Sequence, residues 1–138
     1  MFEHCLYFNT TSLARKVERI WTRAFKPFGL TPSQAFMLRV VLAEGPITHT
    51  KLADRMNISK ATCSRAVDGL EKLGLVDRKQ MSADGRSYEL VPTGKAQALK
   101  DGLNETSAAV TKKLKHLAGN EAFETTVTNI KSINAAID

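Results

Sequence analysis

The chain has 138 residues, 43% hydrophobic and 25% charged, which suits one folded domain and excludes a disordered or low-complexity polypeptide. Its longest apolar run, residues 35–43, is broken by Arg39 and is far too short to cross a bilayer. The net charge of +6 disfavours a polycationic partner and fits a polyanionic one.

The charge is unevenly distributed. Residues 1–48 carry six Lys/Arg against three Asp/Glu, residues 49–95 carry nine against six, and residues 96–138 carry five of each. The surplus therefore lies in the first two thirds of the chain. Two cysteines, Cys5 and Cys63, form no disulfide framework, and His4, His49 and His116 have no ligand at metal-binding spacing. No metal or cofactor is expected. The N-terminus shows neither a basic segment nor a cleavage pattern, so a cytoplasmic protein is expected.

In chain order, Asn9 to Ser12 offer N-cap candidates for a first helix, with Leu13, Val17, Ile20, Trp21, Ala24 and Phe28 as its apolar stripe. Pro27 and Gly29 end it. Thr31 and Pro32 then read as N-cap and first position of a second, strongly apolar helix that stops at Gly45-Pro46. Ile47-Thr48 suits a short strand leading into the next helix.

His49 to Met56 reads as a short helix with Leu52, Ala53 and Met56 inward, and Ile58 plugs the following turn. Ser59 opens another helix, in which Cys63, Ala66, Val67, Leu70 and Leu73 form the buried stripe. Ser59, Lys60, Ala61, Thr62, Ser64 and Arg65 are left for its outer face, with Asp68 a further candidate there. Gly74 is a natural C-terminal stop. Leu75 to Gln80 and Ser87 to Val91 alternate like paired strands around a polar turn, residues 81–86, that carries Arg86.

Pro92 to Lys95 begin a long helix, where Gly102 marks a candidate bend. A last helix shows Phe123, Val127, Ile130 and Ile137 on one face. The fold expected is mainly α with a small β-hairpin wing (α+β), a winged helix–turn–helix. Residues 30–92 form its core, and residues 1–29 and 93–138 are dimerisation helices. A helix–turn–helix followed by a hairpin is the order that reads double-stranded DNA.

Residues 30–34, Leu52-Ala53, residues 58–65, residues 70–78, Asp84-Gly85-Arg86 and residues 90–94 together resemble the MarR family of bacterial transcription regulators. The resemblance implies a homodimer that mostly represses nearby operons and releases DNA when a small molecule or oxidant arrives. It implies that Arg86 enters the minor groove and that Asp84 braces the wing.

On the residues themselves, Arg65 is long enough to reach a base edge, while Lys60, Thr62 and Ser64 suit phosphates or weaker base contacts. Ser59 sits at the helix start, where backbone amides can also hold a phosphate. Arg78 and Lys79 flank the wing as backbone-contact candidates. In a dimer, two such helices lie about 10 base pairs apart, so the operator should be near-palindromic.

Two effector readings stand open. Cys5, beside His4, resembles the N-terminal cysteine of OhrR-type peroxide sensors, which would make an organic hydroperoxide the signal; an inert Cys5 is the alternative. A small aromatic ligand held between the dimerisation helices and the winged core, near Tyr7, Phe8, Trp21 and Phe36, competes with plain core packing of those rings. Cys63 reads as a small core hydrophobe. A winged helix that binds only protein is the other class of function, and Arg65 with Arg86 argues against it. An enzyme is not expected, since no nucleophile–base pair, paired-carboxylate motif or phosphate-cradling glycine loop occurs.

Overall fold

Capping chemistry sets most of the element boundaries in the computed structural model, which describes residues 1–81 and 87–137. Helix α1 spans Leu6–Phe25 and passes into a 3-10 turn over Lys26–Phe28 that Gly29 closes at φ 70°. Helix α2, Pro32–Glu44, begins with a capping box. The Gln34 backbone N–H donates to Thr31 Oγ1 at 3.2 Å, and the Thr31 N–H donates to Gln34 Oε1 at 3.0 Å. Helix α3, His49–Met56, is capped by Thr48 and ends at Asn57, which takes the left-handed conformation at φ 56°. Asparagine tolerates that region because its short polar side chain bonds locally.

Helix α4 runs over Lys60–Lys72 with Ser59 as N-cap. It ends in a reversal about Gly74 at φ 72°, where the Leu75 N–H reaches back to the Leu70 carbonyl at 3.0 Å. Strands β1, Val76–Gln80, and β2, Tyr88–Pro92, pair antiparallel with Val76 opposite Pro92 and Gln80 opposite Tyr88. Ile47 adds one bridge to Leu90, exchanging both backbone hydrogen bonds at 3.0 and 2.7 Å. The short strand expected at Ile47-Thr48 is thus a single bridged residue. Helix α5 covers Gly94–Ala118 and α6 covers Asn120–Ala136.

By packing, the chain forms two units, residues 1–104 and 105–138. The first has one core, built chiefly from α2, α3, α4 and the hairpin: Met37, Leu38, Val41, Leu52, Val67, Leu70, Leu75 and Leu90 are all buried. Phe25 of α1 and Ala96 and Leu103 of α5 complete it. In the second unit, Lys115 pairs with Glu124 at 2.9 Å and lies 5.5 Å from the Phe123 ring centroid. Val127, Ile130, Ile133 and Ile137 of this unit are exposed.

Three further sequence expectations are corrected. Helix α1 starts at Leu6, with Cys5 as N-cap, and Asn9 to Ser12 lie inside it. Thr10 and Thr11 donate to the Leu6 and Tyr7 carbonyls at 2.7 and 2.8 Å, so these hydroxyls bond back along the helix instead of capping it. Phe25, absent from the expected stripe, is the fully buried residue of α1, whereas Leu13 is exposed. Leu73 is exposed too, because the Gly74 reversal places Leu75 in the core in its stead. Helix α5 is continuous through Gly102. A Cβ there would stand 3.0 Å from Phe28 Cε1, so the glycine admits a neighbouring ring.

Candidate nucleic-acid interface

Helix α4 separates its residues cleanly by chemistry. Cys63, Val67 and Leu70 are buried, while Lys60, Ala61, Thr62, Arg65, Asp68 and Lys72 are exposed. Met56 and Ile58 pack beside the core and fix the turn between α3 and α4. The outer face therefore starts small and ends long: one turn of short side chains lets the backbone approach a groove, and Arg65 extends beyond it.

Thr62 organises this first turn. Ser59 Oγ accepts from the Thr62 N–H at 3.1 Å and donates to Thr62 Oγ1 at 2.9 Å. Arg65 Nη2 also donates to Thr62 Oγ1, at 3.3 Å, which draws the guanidinium toward the helix start. Ser59 thus serves the helix as its cap, and Ser64 is half-buried. Lys60, Thr62 and Arg65 are the expected site residues of α4 that stand fully in the open.

The hairpin divides the other basic residues. Alternation along β1 puts Arg78 on the face that Leu90 and Tyr88 share, and Lys79 on the opposite face, across from Glu89. Lys79 is exposed. Arg78 is engaged by the protein itself: its Nε donates to Glu71 Oε1, its Nη2 donates to Asp68 Oδ1 at 2.9 Å, and its guanidinium lies 4.8 Å from the Tyr88 ring centroid. The hydrogen bond to Glu71 holds that guanidinium charged more firmly than usual. Asp84 and Arg86 lie outside the described residues.

Beneath this cluster sits His49, which sequence reasoning passed over. Its ring meets Tyr88 edge-on at 5.3 Å, and its buried Nε2 has no hydrogen-bond partner among the described residues. Burial, reinforced by the Arg78 charge, pushes its pKa down from 6.5, with Asp68 and Glu71 opposing. The unfolded ring gains its proton near the ordinary value, before the folded ring does. Stability is therefore full above the unfolded value, falls as pH drops from 6.5 toward the folded value, and levels off below it. Melting curves between about pH 5 and pH 8 should show this loss. A His49→Gln variant should lack that part of the pH dependence; an identical profile in both proteins would exclude His49 as the source.

The residues considered for effector sensing are dispersed. Trp21 stacks on Phe25 at 5.5 Å and meets Phe36 edge-on at 5.1 Å, so these rings fill space against one another. Tyr7 is 77% exposed and lies fourteen residues before Trp21 on α1, about 21 Å at 1.5 Å per residue. Within one chain the two do not line a common pocket. Cys5 is exposed. Cys63 is buried, its thiol pushed up in pKa by that burial and directed at the His49 carbonyl at 3.9 Å.

Glu71, Tyr88 and His49 are the site-adjacent residues that the sequence did not reveal, and Asp68, placed on the outer face of α4, was given no partner. The three-residue spacing of Asp68 and Glu71 on α4 was the available signal, but it named no partner.

Comparison with known proteins agrees with this architecture. Residues 28–87 match the MarR family. The HTH-type transcriptional repressor YetL of Bacillus subtilis is 29% identical over 96 residues, which cover 67% of this chain. That match spans only 58% of YetL. The HTH-type transcriptional regulator MgrA of Staphylococcus aureus is 25% identical over 106 residues, 76% of this chain and 72% of MgrA. In fold, the transcriptional repressor CouR, solved bound to a 23-mer DNA duplex, superposes with a TM-score of 0.86 at 22% identity. The superposition covers 96% of this chain and 94% of CouR. Helices α3 and α4 and strand β1 lie inside the matched stretch and β2 follows directly after it, so residues 28–87 are similar to MarR-family regulators and the chain shares the winged helix–turn–helix fold.

Proposed function

We propose that this protein is a sequence-specific double-stranded DNA-binding transcription regulator that acts in the cytoplasm as a homodimer. The observation that carries the reading is the outer face of α4, where Lys60, Thr62 and Arg65 are exposed on a helix whose other face is locked into the core. Arg65 reads a base edge; Lys60 and Thr62 hold phosphates, joined by Lys79 from the hairpin. Ser59 and Ser64 contribute through the helix start and its backbone amides. Arg86 enters the minor groove from the wing, and Asp84 supports it there.

Homodimer formation is supported by large apolar residues left exposed on terminal helices, Leu6 and Leu13 on α1 and Val127 and Ile130 on α6. A two-fold dimer reads a near-palindromic operator. Repression, relieved by a small aromatic molecule or an organic hydroperoxide, is the mode of action we infer. Cys5 is the thiol an oxidant would reach, since Cys63 is enclosed.

A gel-shift titration against the DNA upstream of its own gene tests the reading. A sequence-dependent shift is expected, and binding no tighter than to random duplex of equal length would overturn it. In the same assay, Arg86→Ala should weaken binding and lower the slope of log affinity against log salt by about one ion. An unchanged slope would remove Arg86 from the phosphate-lined groove.

A further inference from the structure

We propose that Arg78 is a positioning residue: it fixes the hairpin against the recognition helix through Asp68 and Glu71, and so sets how far apart the two DNA-facing elements lie. The inference rests on reading α4 and the hairpin as DNA-facing.

One guanidinium here joins three elements. It leaves β1, donates to two carboxylates one turn apart on α4, and covers the ring of Tyr88 on β2. The same ring also meets His49, the first residue of α3, edge-on. Only a planar, forked cation can satisfy both carboxylates and stack at once; a lysine ammonium is a point charge and does one or the other.

The two acids are otherwise hard to understand. A carboxylate on the exposed side of a recognition helix repels phosphate, and α4 carries two beside its basic face. Their pairing with Arg78 gives them a task. It also removes Arg78 from the set of side chains free to meet DNA. All three groups are partly exposed, with side-chain exposures of 37% for Arg78, 54% for Asp68 and 32% for Glu71. Such pairs add little to global stability, so their effect is to choose one arrangement of hairpin and helix.

The test uses the sign of an effect. Asp68→Asn with Glu71→Gln makes the surface less acidic, and electrostatics alone would tighten DNA binding. If the acids position Arg78, the double variant instead binds a labelled duplex from upstream of its own gene several-fold more weakly than the wild type. Arg78→Gln should weaken it similarly, Arg78→Lys should not restore it, and the triple variant should be no weaker than Arg78→Gln. Equal or tighter binding by the Asp68→Asn/Glu71→Gln variant overturns the proposal, as does additive loss in the triple variant.

Hydrogen exchange in the free proteins provides a readout without DNA. Amides of β1 and β2 should exchange about two- to fivefold faster in each variant, with α2 amides unchanged. If the wild type shifts no duplex, the DNA-binding reading falls, and exchange alone decides: faster hairpin exchange supports the coupling, and unchanged exchange overturns it.

Discussion

Replacing Arg65 with alanine should cost the protein about 1–3 kcal/mol of discrimination between its operator and a duplex altered at one contacted base pair. In affinity that is roughly five- to 150-fold, while binding to random DNA should fall much less. The expectation follows from position and reach. Arg65 is exposed one turn into α4, behind short side chains that let the helix approach the groove. Its bond to Thr62 at 3.3 Å is long and made to a neutral hydroxyl, so a base edge that offers two acceptors competes well for it. Titrating wild type and variant against the operator and a panel of single-base changes gives the answer. Equal loss on every duplex would show that Arg65 holds phosphate and reads no base.

Phe25→Ala should have the largest effect on stability, about 3–5 kcal/mol, which for a domain of this size lowers Tm by roughly 10–20 °C. Phe25 is fully buried and touches three other rings: Trp21 at 5.5 Å, Phe36 at 5.9 Å and Phe28 at 6.3 Å. Two edge-on pairs and one stacked pair are lost together with the buried area, and the surrounding helices cannot close onto the gap. The variant should also bind DNA less well, because α2 contributes Phe36 to the aromatic cluster and also packs against α3 and α4. Calorimetry decides the matter: a Tm drop under about 3 °C would mean that the ring cluster is not the joint between α1 and the core.

The two substitutions lie on different levels of the same design. Arg65 acts at the surface and its loss should leave the fold intact; Phe25 acts in the core and its loss should reach the surface only through packing. Measuring both stability and binding for each variant separates the levels, since a shared profile would mean that α4 is less firmly seated than its buried stripe implies.

Most boundaries that depend on residues close in the chain were legible in the sequence. Thr31, Pro32 and Gln34 announce the start of α2, Ser59 announces α4, and Gly74 announces its end, because caps and left-handed turns are local chemistry. The helix–turn–helix from His49 onward, and the exposed face of α4 with Lys60, Thr62 and Arg65, came from spacing alone. The start of α1 was hidden by a local ambiguity: Asn9, Thr10 and Thr11 are as able to bond back along a helix as to cap one, and here they do the former.

Other features depended on docking. Phe25 and Leu13 look alike on a helical stripe; only contact with α2 makes the first core and leaves the second exposed. Gly102 reads as a weak point until Phe28 is seen against it. Arg78 reads as one more basic residue beside a wing, since its partners lie seven and ten residues away and its stacking ring lies on the next strand. Periodicity tells which face a side chain occupies. What stands opposite that face is decided by how strand and helix pack, and that relation exists only in the folded chain.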